Sequence, residues 1–132
     1  MFFKSKVKDM TGTDIEVEIN RYNTQITIFD KSIQEKTSQL SLNYGFKAII
    51  ECAYNEARFF NKDIPEMDLE SFLSKHYNKV YSGIINYIRN IEFSILCRTT
   101  IPSKVDNVYV SGEGATLFFH EFKKHFNNCS LI

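Results

Sequence analysis

The first third of the chain alternates apolar and polar residues, and the remainder shifts to a three-to-four-residue apolar spacing. Ile15-Glu16-Val17-Glu18-Ile19 alternates strictly, the pattern of a half-buried strand. Residues 20–23 are turn formers, and Gln25-Ile26-Thr27-Ile28-Phe29 alternates again, which predicts a hairpin. Residues 2–8 predict a further strand, set off by the turn-like Asp9-Met10-Thr11-Gly12-Thr13, and residues 38–42 one more short strand.

Helical spacing begins at Phe46 and continues through Ile49, Ile50, Ala53, Ala57 and Phe60. Asn43 or Gly45 is expected to open this helix. It should end near Asn61, because Ile64-Pro65 follows and the residue before proline disfavours αR. Asp68 is a good N-cap for a second, longer helix. Its stripe is Phe72, His76, Val80, Ile84, Ile88, Ile91 and Ile95. Gly83 lies inside it at about 1 kcal/mol relative to Ala, so close packing or a kink is expected there. Residues 99–103 end that helix. A strand over 108–110, a glycine turn and a last helix with Phe118, Phe119, Phe122 and Phe126 inward complete the pattern. Lys123 and Lys124 suit the C-terminal end of that helix, and residues 127–132 are expected to fray.

The order β-rich, α, α, β, α predicts one α+β or α/β domain over 1–132. An N-terminal hairpin or meander, two helices, a strand and a C-terminal helix pack on one mixed sheet. Composition agrees with a packed core: 132 residues, 43% apolar and 14% aromatic, are outside the range of disordered chains. Sixteen basic and sixteen acidic side chains cancel. There is no electrostatic case for nucleic acid or an anionic membrane as partner.

Cys52, Cys97 and Cys129 are odd in number, widely spaced and without a CxxC pair, the usage of a reducing compartment. Cys52 and Cys97 sit among apolar residues and are expected in the core, with Cys129 exposed. No signal-peptide core and no apolar run of about 18 residues is present, so a cytoplasmic location is expected. Asn, Lys, Ile, Phe and Tyr, all with AT-rich codons, make up 57 of the 132 residues. That bias suits an AT-rich bacterium or a mobile element.

The densest candidate for chemistry is Asn107-Val108-Tyr109-Val110-Ser111-Gly112-Glu113-Gly114-Ala115, a strand feeding a helix through Gly-x-Gly. Such a turn can leave backbone N–H groups open to an anion at the helix N-terminus. It is equally the tight strand-to-helix turn that glycine dihedrals permit. Glu113 places a carboxylate where the anion would sit, and can itself satisfy the positive helix end. Residues 9–14 combine two carboxylates and two hydroxyls around a glycine, a conceivable Mg²⁺ site and equally an ordinary turn. His76 on the apolar stripe is expected half-buried. His120 and His125, five apart, do not face each other. No HExxH, Cys/His set or Gly-x-Ser-x-Gly elbow occurs, so neither zinc nor serine or cysteine catalysis is expected. Glu16 and Glu18, with Asp14, form either a partner-binding patch or the solvated side of an edge strand.

Residues 108–117, Val-Tyr-Val-Ser-Gly-Glu-Gly-Ala-Thr-Leu, resemble the late strand–glycine–helix motif of actin-like ATPases of the plasmid-segregation, pilus-assembly and division branches. There a hydrophobic strand runs into Gly-Gly-Gly-Ala beside the adenosine end of ATP. The resemblance covers residues 38–126. It implies that Gly112, Gly114 and Ala115 line a nucleotide, with ATP and Mg²⁺ as cofactors, and that residues 9–14 stand for the second phosphate loop. Glu113 replaces the central glycine, the 9–14 loop is short and lacks a glycine run, and the first phosphate loop and opposing lobe have no counterpart. By resemblance, then, the chain is a half-domain without ATPase activity, serving filament or secretion and pilus assembly.

The residues themselves, apart from the resemblance, describe a small non-catalytic cytosolic protein without cofactor. It would bind and occlude or regulate another protein, as an immunity or inhibitor protein of a mobile element does. Tyr22, Tyr44, Tyr77 and Tyr81, with Glu16 and Glu18, are its candidate partner contacts.

Overall fold

Residues 12–30, 35–98, 105–126 and 128–132 are described in the computed structural model. The first three strands are β1 (Thr13–Ile19), β2 (Thr24–Asp30) and β3 (Glu35–Leu42). Three helices follow, α1 (Phe46–Phe60), α2 (Leu69–Lys75) and α3 (Tyr77–Arg98). Strand β4 (Val105–Ser111), helix α4 (Ala115–His125) and strand β5 (Cys129–Leu131) end the described chain. The five strands make one mixed sheet in the order β3-β2-β1-β4-β5. β1, β2 and β3 are antiparallel neighbours, while β4 is parallel to both β1 and β5. The predicted mixed sheet with its hairpin, helices and C-terminal helix is the fold observed.

Period-two alternation puts one face of the sheet in the core. Ile15 pairs with Ile28 and Val108, and Val17 with Ile26 and Val110, so three isoleucines and three valines stand side by side. All are at most 2% exposed, and they join Phe46, Ile50, Ile84, Ile88, Phe118 and Phe122 in a single cluster. Each such side chain contributes roughly 1.5–3 kcal/mol by leaving water. Tyr87 is buried with them. Its hydroxyl meets that of Thr24, which donates to the Tyr44 carbonyl at 3.0 Å.

The structure corrects several expectations. The second helix is two helices, broken at His76, whose backbone leaves helical values at φ −129°, ψ 40°. Geometry supplies the reason. Residues four apart advance about 40° around a straight helix, so Phe72 and Ile88 would stand about 160° apart. Both are fully buried, and the break resets the phase. Helix α3 runs unbroken through Gly83. A Cβ there would lie 3.2 Å from Ile49, so glycine serves close approach of α1 and α3.

Glu16 and Glu18 are not on an edge: β1 is the central strand, with Glu16 opposite Thr27 and Tyr109, and Glu18 opposite Gln25 and Ser111. Both are half-buried, and burial first, then the Glu18 carboxylate, raises the pKa of Glu16. Asp14 is buried and accepts from Asn107 Nδ2 at 2.9 Å. Alternation reports one buried face but not the number of neighbouring strands.

The tail forms β5 beside β4 instead of fraying. Val108 N–H donates to Asn128 O at 2.9 Å, and Ile132 N–H to Val110 O at 3.0 Å. The cysteines are reversed, with Cys52 and Cys97 exposed and Cys129 buried. Cys52 is two residues from buried Ile50 and Cys97 two from buried Ile95, about 200° around each helix and hence outward. The predicted strand over 2–8, Asp9 to Thr11 of the turn, and the helix end over 99–103 lie outside the described residues.

Candidate functional site: a cleft at the glycine turn

Strand β4 ends at Ser111, and Gly112 turns the chain at φ +95°, a region L side chains rarely adopt. A Cβ on Gly112 would lie 2.5 Å from the carbonyl oxygen of Ile19. Gly114 has ordinary helical dihedrals, φ −89° and ψ 0°. A Cβ there would lie 2.6 Å from Phe46 Cδ1 and 2.8 Å from Ile19 Cγ2. Both glycines are therefore required by the end of β1 and the start of α1. The Gly114 N–H donates to Ile19 O at 2.9 Å, and the Ala115 N–H to Gly112 O at 3.1 Å.

The hairpin turn over 20–23 packs against the same point. Its Asn20 and Arg21 carbonyls each accept at 3.1 Å, from the N–H groups of Phe46 and Lys47 at the start of α1. Two helix N-termini thus converge on two turns, and each gives its leading donors to the protein's own carbonyls. Arg21 Nε donates to Glu113 Oε1 at 3.2 Å, both side chains about half exposed. The Glu113 hydrogen bond, then its charge, raises the Arg21 pKa. Glu113 lies one residue before Gly114, the N-cap of α4, which has no side-chain cap bond, and its carboxylate accepts from Arg21.

Between α1, α2, the start of α3 and the start of α4 lies a cleft of about 810 Å³. Phe46, Ile50, Leu73 and Leu117 give it an apolar floor. Its charges are Arg21, Lys47, Glu70 and Glu113. Lys47 Nζ stands 5.1 Å from the Tyr22 ring centroid, and the Arg21 guanidinium 5.9 Å from that of Phe46. Tyr77 is on the wall, its pKa raised by burial and then by the Glu121 carboxylate.

Gly112, Gly114 and Ala115 do not face this cleft. Gly114 and Ala115 are buried behind it, and the residues facing it from the turn are Glu113, Thr116 and Leu117. Thr13 and Asp14, from the turn tied by resemblance to a phosphate loop, belong to β1. They lie six and five residues from Ile19, about 17–20 Å along the strand. The turn beside the glycines is 20–23.

Tyr22 is 66% exposed beside Lys47. Tyr77 and Tyr81 are partly exposed with rings 6.3 Å apart. Tyr44 is tied down, its hydroxyl accepting from Asn90 Nδ2 at 3.1 Å and its ring 5.9 Å from that of Tyr87. Glu16 and Glu18 point to the sheet face away from the helices. The partner candidates therefore do not form one patch. His76 is half-buried with its ring 5.2 Å from that of Phe72, and His125 Nδ1 is 2.7 Å from Glu92 Oε1. Among the described residues no three His, Cys, Asp or Glu side chains gather as metal ligands. Nor is any described helix long and apolar enough to cross a membrane.

The architecture, a five-stranded mixed sheet with helices and a glycine turn into the last one, is that of part of the actin-like proteins. An archaeal actin homolog superposes with a TM-score of 0.77 at 10% identity, over 99% of this chain and 45% of that one. The apo psk41 ParM protein gives 0.75 at 10% identity, over 93% and 36%. The PilM–PilN type IV pilus biogenesis complex gives 0.64 at 16% identity, over 93% and 36%. The chain spans less than half the length of these proteins. No protein-family model matches, and no curated protein matches in sequence.

Proposed function

We propose that this chain is a nucleotide-binding half-domain of actin-like architecture. It takes the adenosine end of an adenine nucleotide in the cleft beside the glycine turn and serves the assembly of a filament or of secretion or pilus machinery. The observation that carries this is the conjunction of fold and cleft: a concave, apolar-floored site opens at the turn through which the actin-like motif passes. The archaeal homolog has also been solved in complex with ADP, and it superposes at a TM-score of 0.70. Other structures with this fold are filaments.

An apolar floor with a few polar groups at its edge suits a flat heteroaromatic base and a ribose. Phe46, Ile50, Leu73 and Leu117 would pack against the base, and Thr116 and Glu70 offer a hydroxyl and a carboxylate to sugar hydroxyls. The polyphosphate and Mg²⁺ fit poorly, since two N–H groups at the start of each helix are already used and Glu113 pairs with Arg21. No phosphoryl transfer is drawn from this site. The immunity or inhibitor reading rested on neutral charge and the lack of a catalytic set, and neither fold nor cleft adds to it.

Calorimetric titration with adenosine, ADP and ATP, with and without Mg²⁺, tests the proposal. Saturable adenosine binding is expected. It should be lost in Thr116→Trp, which fills the cleft from an exposed helix position, with the circular dichroism spectrum unchanged. Wild-type protein that binds none of the three at millimolar concentration would refute it.

A further inference from the structure

We propose that Glu113 makes this cleft selective for the uncharged nucleoside end of its ligand by withholding Arg21 from phosphate. The inference rests on the adenosine reading of the same cleft and names what that cleft discriminates against.

Four observations converge. Arg21, at the tip of the hairpin turn, has Nε 3.2 Å from Glu113 Oε1, so the guanidinium at the cleft mouth gives one donor to a carboxylate that offsets its charge. The other cation of the mouth, Lys47, stands over the Tyr22 ring. The N–H groups of Gly114, Ala115, Phe46 and Lys47 donate to protein carbonyls. Such donors contribute to a helix N-terminus's affinity for anions, and these four are spent. Glu70 adds a second carboxylate to the cleft. A phosphate entering must displace Glu113 from Arg21 or share the guanidinium with it, and in either case lies within a few ångström of that carboxylate. An uncharged nucleoside pays neither penalty and still covers the apolar floor.

The test is the ratio of ADP to adenosine affinity in wild type, Glu113→Gln and the double variant Glu113→Gln/Arg21→Gln, by calorimetry at low salt. Both side chains are about half exposed, and folding is checked by circular dichroism. Glu113→Gln should tighten ADP about five- to tenfold, the scale for removing one charge a few ångström from a phosphate at a surface. Adenosine affinity should change by less than about twofold, a residual well inside the small worth of exposed groups. The double variant should lose the gain. An unchanged ratio in Glu113→Gln, or a gain that survives loss of Arg21, overturns the inference and leaves adenosine binding standing. Absence of adenosine binding in wild type and Glu113→Gln alike overturns the adenosine reading and this inference with it.

Discussion

Substituting alanine at the two glycines of the turn separates a structural requirement from a ligand requirement. At Gly112 the φ of +95° costs an L residue about 1–2 kcal/mol. The added Cβ would also lie 2.5 Å from Ile19 O and 2.8 Å from Ile19 N, atoms of a central strand with no rotamer to change. Overpacking of that kind costs about 1–3 kcal/mol. Gly112→Ala should therefore lose about 2–5 kcal/mol, a large part of the roughly 5–15 kcal/mol that holds a domain folded. Gly114→Ala meets no dihedral penalty and reduces unfolded-state entropy, and its Cβ collides only with the side chains of Phe46 and Ile19. It should cost about 0–2 kcal/mol. Urea unfolding followed by far-UV circular dichroism resolves these values. The Phe46→Leu background makes the test sharper. Shortening Phe46 should rescue part of Gly114→Ala, a coupling of about 0.5 kcal/mol or more, and none of Gly112→Ala. A Gly112→Ala protein within 0.5 kcal/mol of wild type, or one rescued by Phe46→Leu, would refute the packing account. The glycines would then have to be explained by close approach of a ligand.

Three further outcomes follow from burial and hydrogen bonding. A chromogenic disulfide reagent should modify Cys52 and Cys97 promptly in the native protein and Cys129 only on unfolding; three equally fast thiols would contradict the placement of β5. Burial pushes the Cys129 thiol up to about 11, above its unfolded value. Its stabilising contribution is thus whole below about pH 9 and lost as pH rises toward 11, up to about 3 kcal/mol. Urea midpoints at pH 8 and 10.5 should diverge less in Cys129→Ala, and an equal drop in both proteins would count against the assignment. Tyr87→Phe should cost about 1–2 kcal/mol by leaving the buried Thr24 hydroxyl short of one partner, seen as a lower midpoint with unchanged slope.

Much of the fold was legible because its signals are local. The hairpin, α1 and α4 follow from periodicity and turn residues within windows of about ten residues. What failed is what periodicity cannot carry. The Glu16 and Glu18 pattern is the same for an edge and a central strand, since the number of neighbours is decided by β4 some ninety residues away. The break at His76 follows from accumulated helix phase, visible only when Phe72 and Ile88 are required to be inside together. Residues 127–132 read as a tail because a three-residue strand has almost no pattern of its own and forms only against β4. The cleft was half legible. Its glycine turn stands out in the sequence, while Arg21, Lys47 and Glu70 carry no local mark and come together only through the contact of hairpin turn, α1 and glycine turn.

That contact also changes what the glycine turn signifies. Ile19 is the last residue of the central strand, and the turn must pass over it to start α4 above the end of β1. A Cβ at 112 would press on the Ile19 backbone and one at 114 on the Phe46 and Ile19 side chains, whether or not a ligand ever bound. The Gly-x-Gly spacing is thus a consequence of topology, and its resemblance to the actin-like motif reports the fold that the superpositions also report. The residue between the glycines is not constrained in this way. Its side chain leaves the packed contact and reaches into the cleft mouth toward Arg21. In a turn whose flanking positions are fixed by packing, the middle position is where ligand preference can vary without loss of the fold, and a carboxylate there sets the cleft against anions. The informative substitution for function is therefore at Glu113, and substitutions at Gly112 and Gly114 report on stability.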